Sequence, residues 1–129
     1  MSVDPIPDDV RRLILKSIDS VAQLEAVLLL RANPDVDWAP DALAKRLYVD
    51  EDAATAVLDQ LCDRGFCVSR RERVVLYRYQ PSTPDLDQVI NRLAETYRQF
   101  LVPVTNVIHS KARSNVQRFA DAFKMRKDG

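Results

Sequence analysis

Residues 40–66 read PDALAKRLYVDEDAATAVLDQLCDRGF, and this stretch decides the fold. Pro40 suits the first position of a helix, where a missing N–H costs nothing, and Asp41 suits its positive first turn. Leu43, Ala44 and Leu47 recur at helical spacing and give that helix its apolar face. Tyr48-Val49 turns the chain. Asp50 is a good N-cap for a following helix that runs to Arg64, with Ala54, Val57, Leu58 and Leu61 on one side. Gly65 ends it as the left-handed residue just past the last turn. Two short helices joined by so tight a turn form a helix-turn-helix.

Downstream the apolar period drops from about 3.6 to 2. Phe66-Cys67-Val68 reads as one strand and Val74 through Tyr79 as another, rich in β-branched and aromatic residues. Ser69-Arg70-Arg71-Glu72-Arg73 is the charged tip between them. Upstream, Asp8 and Asp9 precede Val10, Leu13, Ile14 and Ile18, a helical pattern with an acidic start. Ser20-Val21-Ala22-Gln23 has the form of a capping box for a helix carrying Val21, Leu24, Val27 and Leu28, which Ala32-Asn33-Pro34 ends. Trp38 falls in a very short strand before Pro40.

Beyond the hairpin, Pro81-Ser82-Thr83-Pro84 marks a boundary, with Thr83 as cap and Pro84 at the first helical position. Leu86, Ile90, Leu93, Tyr97, Phe100, Val104 and Val107 then repeat at alternating steps of four and three, an a/d seam. Pro103 lies inside it and predicts a kink or break. Ser114-Asn115-Val116-Gln117 repeats the capping-box form, so a last helix is expected from Ser114. Its apolar face would be Val116, Phe119, Ala120 and Phe123, and its basic end Arg118, Lys124, Arg126 and Lys127. The expected fold is mostly α with a small β-hairpin wing (α+β): a winged helix-turn-helix with a long C-terminal helical arm. Residues 1–19 form an N-terminal arm and first helix, residues 20–80 the winged-helix domain, and residues 84–129 an arm suited to dimerisation.

Segments Pro40 to Leu47, Ala53 to Leu61 and Asp63-Arg64-Gly65-Phe66 resemble the pattern of MarR-like bacterial transcription regulators over roughly residues 20–80. Residues Phe119 to Asp128 resemble the ending of small bacterial winged-helix proteins of uncharacterised activity. The first resemblance implies that the helix after Asp50 enters the DNA major groove and that the wing tip meets phosphate or the minor groove. Matched residue by residue, the DNA-facing positions are Asp52, Ala53, Thr55, Ala56, Asp59 and Gln60. It also implies dimerisation through terminal helices.

Those positions fit a base reader poorly. Between Glu51 and Arg64 the helix carries Glu51, Asp52, Asp59 and Asp63 against the single base Arg64, a net charge of −3 facing a polyanion. Alanine touches a thymine methyl at most, which leaves Thr55 and Gln60 as base readers. Arg70, Arg71 and Arg73 at the wing tip argue the other way, since arginines there suit phosphate or a narrow minor groove. An acidic helix beside a basic wing also suits a protein partner. Two readings follow: a homodimeric winged-helix regulator acting through protein contacts, and a MarR-like DNA-binding regulator using Asp52, Thr55, Gln60, Arg70, Arg71 and Arg73. The seam from Leu86 to Val107 either pairs two copies or folds back on its own domain. A small-molecule pocket between arm and wing domain is a third, remoter class.

Composition excludes other classes. The 129 residues hold nineteen basic and nineteen acidic side chains, so any affinity for phosphate is local. Only Gly65 and Gly129 are glycine, too few for a phosphate-cradling loop. Cys62 and Cys67, with the lone His109 far away, do not complete a zinc site and read as small core residues. His109 has no recognisable catalytic company, so no enzyme, metal or cofactor is expected. The N-terminus lacks a signal-peptide pattern and no apolar run spans a bilayer, which makes a cytoplasmic protein the expectation.

Overall fold

The computed structural model describes residues 5–128, with the side chains of 115, 116, 118, 119 and 121–128 left out. Eight elements follow in chain order: α1 (Asp8–Ser17), α2 (Val21–Ala32), α3 (Pro40–Leu47), α4 (Glu51–Asp63), β1 (Cys67–Arg71), β2 (Val75–Tyr79), α5 (Pro84–Gln99) and α6 (Leu101–Asp128). This is the α+β winged helix that the sequence predicts.

Local chemistry sets the boundaries. The Ser20 hydroxyl accepts from Gln23 N at 3.1 Å, and the Gln23 side chain reaches back to Asp19 N at 2.7 Å, one residue before the cap. Asp50 accepts from Ala53 N at 2.7 Å and so starts α4. At the other end of α4, Phe66 N donates to Leu61 O and Gly65 N to Cys62 O, the two bonds of a Schellman stop. Gly65 sits at φ +84°, where a side chain is strained. Thr83 accepts from Leu86 N at 3.1 Å, with Pro84 at the first turn of α5.

The wing is an antiparallel pair in register Cys67↔Tyr79 to Arg71↔Val75. Its first strand runs to Arg71, so the tip is shorter than the sequence suggested, because Ser69, Arg70 and Arg71 pair with Tyr77, Leu76 and Val75. Trp38 adds a one-residue third strand: Trp38 N donates to Tyr77 O at 2.7 Å and Tyr77 N returns to Trp38 O at 2.9 Å.

One buried cluster joins all the helices. Val10, Ile14 and Ile18 meet Leu24, Val27 and Leu30, then Leu43, Ala54, Leu58 and Leu61. Ile90, Leu93, Val104 and Ile108 belong to the same cluster, and α5 and α6 both pack on α1. Burial of each such side chain contributes roughly 1.5–3 kcal/mol.

The C-terminal half departs from expectation in two places. The break expected at Pro103 does interrupt the seam but falls three residues earlier: the chain leaves helical geometry at Phe100 (φ −130°, ψ 55°), and α6 begins at Leu101. This places Pro103 in the first turn of α6, where its missing N–H has no intrahelical partner to lose. Nor does a new helix start at Ser114, for α6 passes through it without interruption. Nothing between Leu101 and Asp128 except Pro103 opposes helix, and a capping-box sequence inside a good helix is simply read through. Of the expected apolar face there, the side chains of Val116, Phe119 and Phe123 lie outside those described, as do those of Arg118, Lys124, Arg126 and Lys127.

Candidate partner and nucleic-acid interface

The site is built on α4. Ala54, Leu58 and Leu61 face the core, so helical spacing puts Asp52, Ala56, Asp59 and Asp63 on the opposite stripe. Asp52, Ala56 and Asp63 are exposed. Glu51, Asp52 and Asp63 form no ion pair among the described residues. Asp59 accepts a 2.5 Å hydrogen bond from the Tyr77 hydroxyl, which ties α4 to the wing without cancelling the charge. Burial, then that bond, pushes the Tyr77 phenol well above its ordinary value. The one base of this helix end, Arg64, is turned away. Its guanidinium donates to Ser17 O at 2.8 Å, Gln23 Oε1 at 3.0 Å and Asp19 Oδ2 at 2.7 Å.

The two expected base readers sit apart. Gln60 accepts a hydrogen bond from the Gln23 amide, so its side chain is held against α2. Thr55 donates to Glu51 O at 3.0 Å and lines a cleft of about 580 Å³ between α4, the start of α3 and the wing, with Asp41, Glu51, Val74 and Tyr77. The wing arginines also divide. Asp37 accepts from Arg70 and Arg78, both at 3.0 Å, and Arg70 reaches Glu72 at 2.9 Å. Arg71 and Arg73 remain exposed, without an ion pair among the described residues.

Tyr48, in the turn between α3 and α4, was not foreseen as a site residue. Its backbone is left-handed at φ 58°, ψ 44°, unusual for a bulky side chain, and the ring is 94% exposed. It stands two residues before the acidic run Asp50, Glu51 and Asp52. An exposed aromatic beside a charged rim is the composition of a protein-interface anchor. The sequence signals the turn but contains no glycine or asparagine to announce the left-handed residue.

The seam residues are used unequally. Ile90, Leu93 and Val104 are fully buried within the chain, and Leu86, Tyr97 and Val107 are partly buried against the same cluster. Leu86 and Val89 also line a groove of about 350 Å³ between α1 and α5, rimmed by Asp9, Arg12 and Lys16. Phe100, with Leu101 and Val102 after it, presents apolar surface to solvent at the α5–α6 junction. Lys111 anchors α6 to the end of α1, donating to Ile14 O at 3.1 Å and Ile18 O at 3.2 Å and pairing with Asp19 at 2.7 Å. His109 is exposed on α6. Among the described residues no cluster of side chains suits a metal, and no helix is long and apolar enough to cross a membrane.

No family model matches the sequence, and no curated protein matches it. Solved structures do. A transcriptional regulator of Thermotoga maritima superposes with TM-score 0.52 at 16% identity, covering 94% of this chain and 86% of that one. The adhesin competence repressor of Streptococcus pyogenes gives 0.51 at 16% identity, covering 95% of each. A MarR family protein of Bacillus stearothermophilus gives 0.51 at 18% identity, covering 92% of this chain and 80% of that one. At these identities the likeness establishes the fold, a MarR-like winged helix.

Proposed function

Starting from a MarR-like winged helix, we propose a cytoplasmic, homodimeric regulatory protein that acts through a protein partner with a basic surface. The observation that carries this reading is the stripe Asp52, Ala56, Asp59 and Asp63 on the outer side of α4, with the exposed Tyr48 in the turn that leads into that helix. A helix laid in the major groove lies between two phosphate strands, where unneutralised carboxylates are repelled. The same carboxylates attract and orient a basic protein surface, and Tyr48 supplies the desolvated contact that charge alone does not. For the second copy of the chain, the Phe100, Leu101 and Val102 surface offers three consecutive exposed apolar residues.

A second reading is favoured by Arg71 and Arg73, exposed at the wing with no ion pair among the described residues, and by the regulators and repressor that share the fold. In it the wing grips the DNA backbone. Fluorescence anisotropy with random and genomic duplexes at low and moderate salt separates the two. The protein-partner reading expects at most weak, sequence-independent binding that disappears in moderate salt and in an Arg71→Ala, Arg73→Ala variant. Tight binding to one genomic duplex that survives moderate salt favours the DNA reading instead.

A further inference from the structure

We propose that Cys62 and Cys67 are a thiol pair that closes reversibly to a disulfide under a hydroperoxide, joining the end of α4 to the root of the wing. Their Sγ atoms lie 3.0 Å apart, in direct contact, although both are free. Cys62 occupies the last turn of α4 and Cys67 opens β1, with the Gly65 stop folding the chain between them. That stop brings together two sulfurs five residues apart, and a bond of about 2.05 Å requires them to close by only about 1 Å.

The two thiols differ in the way such chemistry requires. Cys62 is half-buried and open to a small oxidant, while Cys67 is buried beneath it. The hydrogen bond shared by the two sulfurs lowers the Cys62 thiol from its ordinary value, against burial and the Asp59 and Asp63 carboxylates. The same bond, then burial, raises Cys67. Cys62, the more accessible of the two, is the nucleophile, and buried Cys67 is the resolving thiol. The Cys62 thiolate attacks the outer oxygen of the hydroperoxide, the O–O bond breaks, and the released alkoxide takes a proton to leave as alcohol. Cys67 Sγ then attacks the Cys62 sulfenic sulfur, the S–O bond breaks, and hydroxide leaves with the Cys67 proton as water. Two thiols and one hydroperoxide give one disulfide, one alcohol and one water.

Closure shifts the Asp63 end of the acidic stripe relative to the wing. That consequence rests on α4 being the contact surface, but the bond chemistry does not, and mass alone reads it. The full chain, reduced and then exposed to hydrogen peroxide, is denatured, treated with N-ethylmaleimide and weighed intact. The expected chain is lighter by two hydrogens, takes no maleimide, and regains two reactive thiols on reduction. Cys67→Ser should instead yield a Cys62 sulfenic acid trapped by dimedone, and Cys62→Ser neither product. Oxidation of wild type to a Cys62 sulfinic acid with Cys67 still alkylatable, or to a bond between chains, overturns the proposal, and neither result depends on a variant folding.

Discussion

The Tyr77 hydroxyl donates a 2.5 Å hydrogen bond to the Asp59 carboxylate, so the central residue of the wing is fastened to the outer side of α4. Tyr77 also exchanges two backbone bonds with Trp38, which makes it the joint of strand, wing and helix. A double-mutant cycle of Tyr77→Phe and Asp59→Ala should give a coupling of about 1 kcal/mol in urea unfolding, because Asp59 is partly solvated. Strict additivity of the two changes would mean that the bond contributes nothing to stability.

Gly65 serves both backbone and packing. At φ +84°, a Cβ added there meets the Ser82 hydroxyl oxygen at 2.8 Å. Gly65→Ala should cost about 1–2 kcal/mol in chemical unfolding. Adding Ser82→Gly should recover only the contact and leave the conformational cost. Full recovery would show that the left-handed backbone carries no penalty here.

Stability should fall at both ends of the pH range, through different groups. The hydrogen bond from Lys111, helped by Arg64, holds Asp19 below its ordinary 3.8. Its contribution is therefore complete above that value and is lost as the pH drops through the lower, folded one. Tyr97 is pushed up to about 12 by burial and by its 2.7 Å bond to Glu25. Its contribution is complete below pH 10 and disappears as the pH rises through about 12. Thermal melting against pH should show a flatter acid limb in Asp19→Asn and a flatter alkaline limb in Tyr97→Phe. Unchanged limbs would remove these groups from the account.

The sequence was most legible where signals are local. Pro40, Asp50 and Gly65 fixed the helix-turn-helix because capping and stop chemistry act within a few residues. Tyr79 and Cys67 ended up paired because alternation and a charged tip specify a hairpin. Partners distant in the chain were not legible. Gln60 looked free to read bases, and its fate depends on Gln23, 37 residues away. Arg70 looked free to meet phosphate alongside Arg71 and Arg73, until Asp37, set beside it by the Trp38 bridge, took it together with Arg78. Ile90 and Leu93 are buried as their spacing implied, but an amphipathic stripe does not name what covers it, and α5 packs on α1, α2 and α6 of its own chain.

The proposed dimer draws on what remains uncovered. Leu101 is 53% and Val102 61% exposed, beside Phe100. Size-exclusion chromatography with light scattering should find a dimer at micromolar concentration, and Leu101→Glu with Val102→Glu should give a folded monomer. A wild-type monomer would remove the dimer from the proposal, and a variant that stays dimeric would move the interface elsewhere.

The repulsive character of α4 is tested most directly by reversing it. Asp52→Lys with Asp63→Lys alters two exposed side chains outside the core. Titrated against a labelled duplex at low salt, wild type should give a nearly flat anisotropy trace, and the reversed chain a clear rise that added salt abolishes. Firm, sequence-selective binding by wild type that the reversal weakens would mean that these carboxylates read DNA, and would contradict the account.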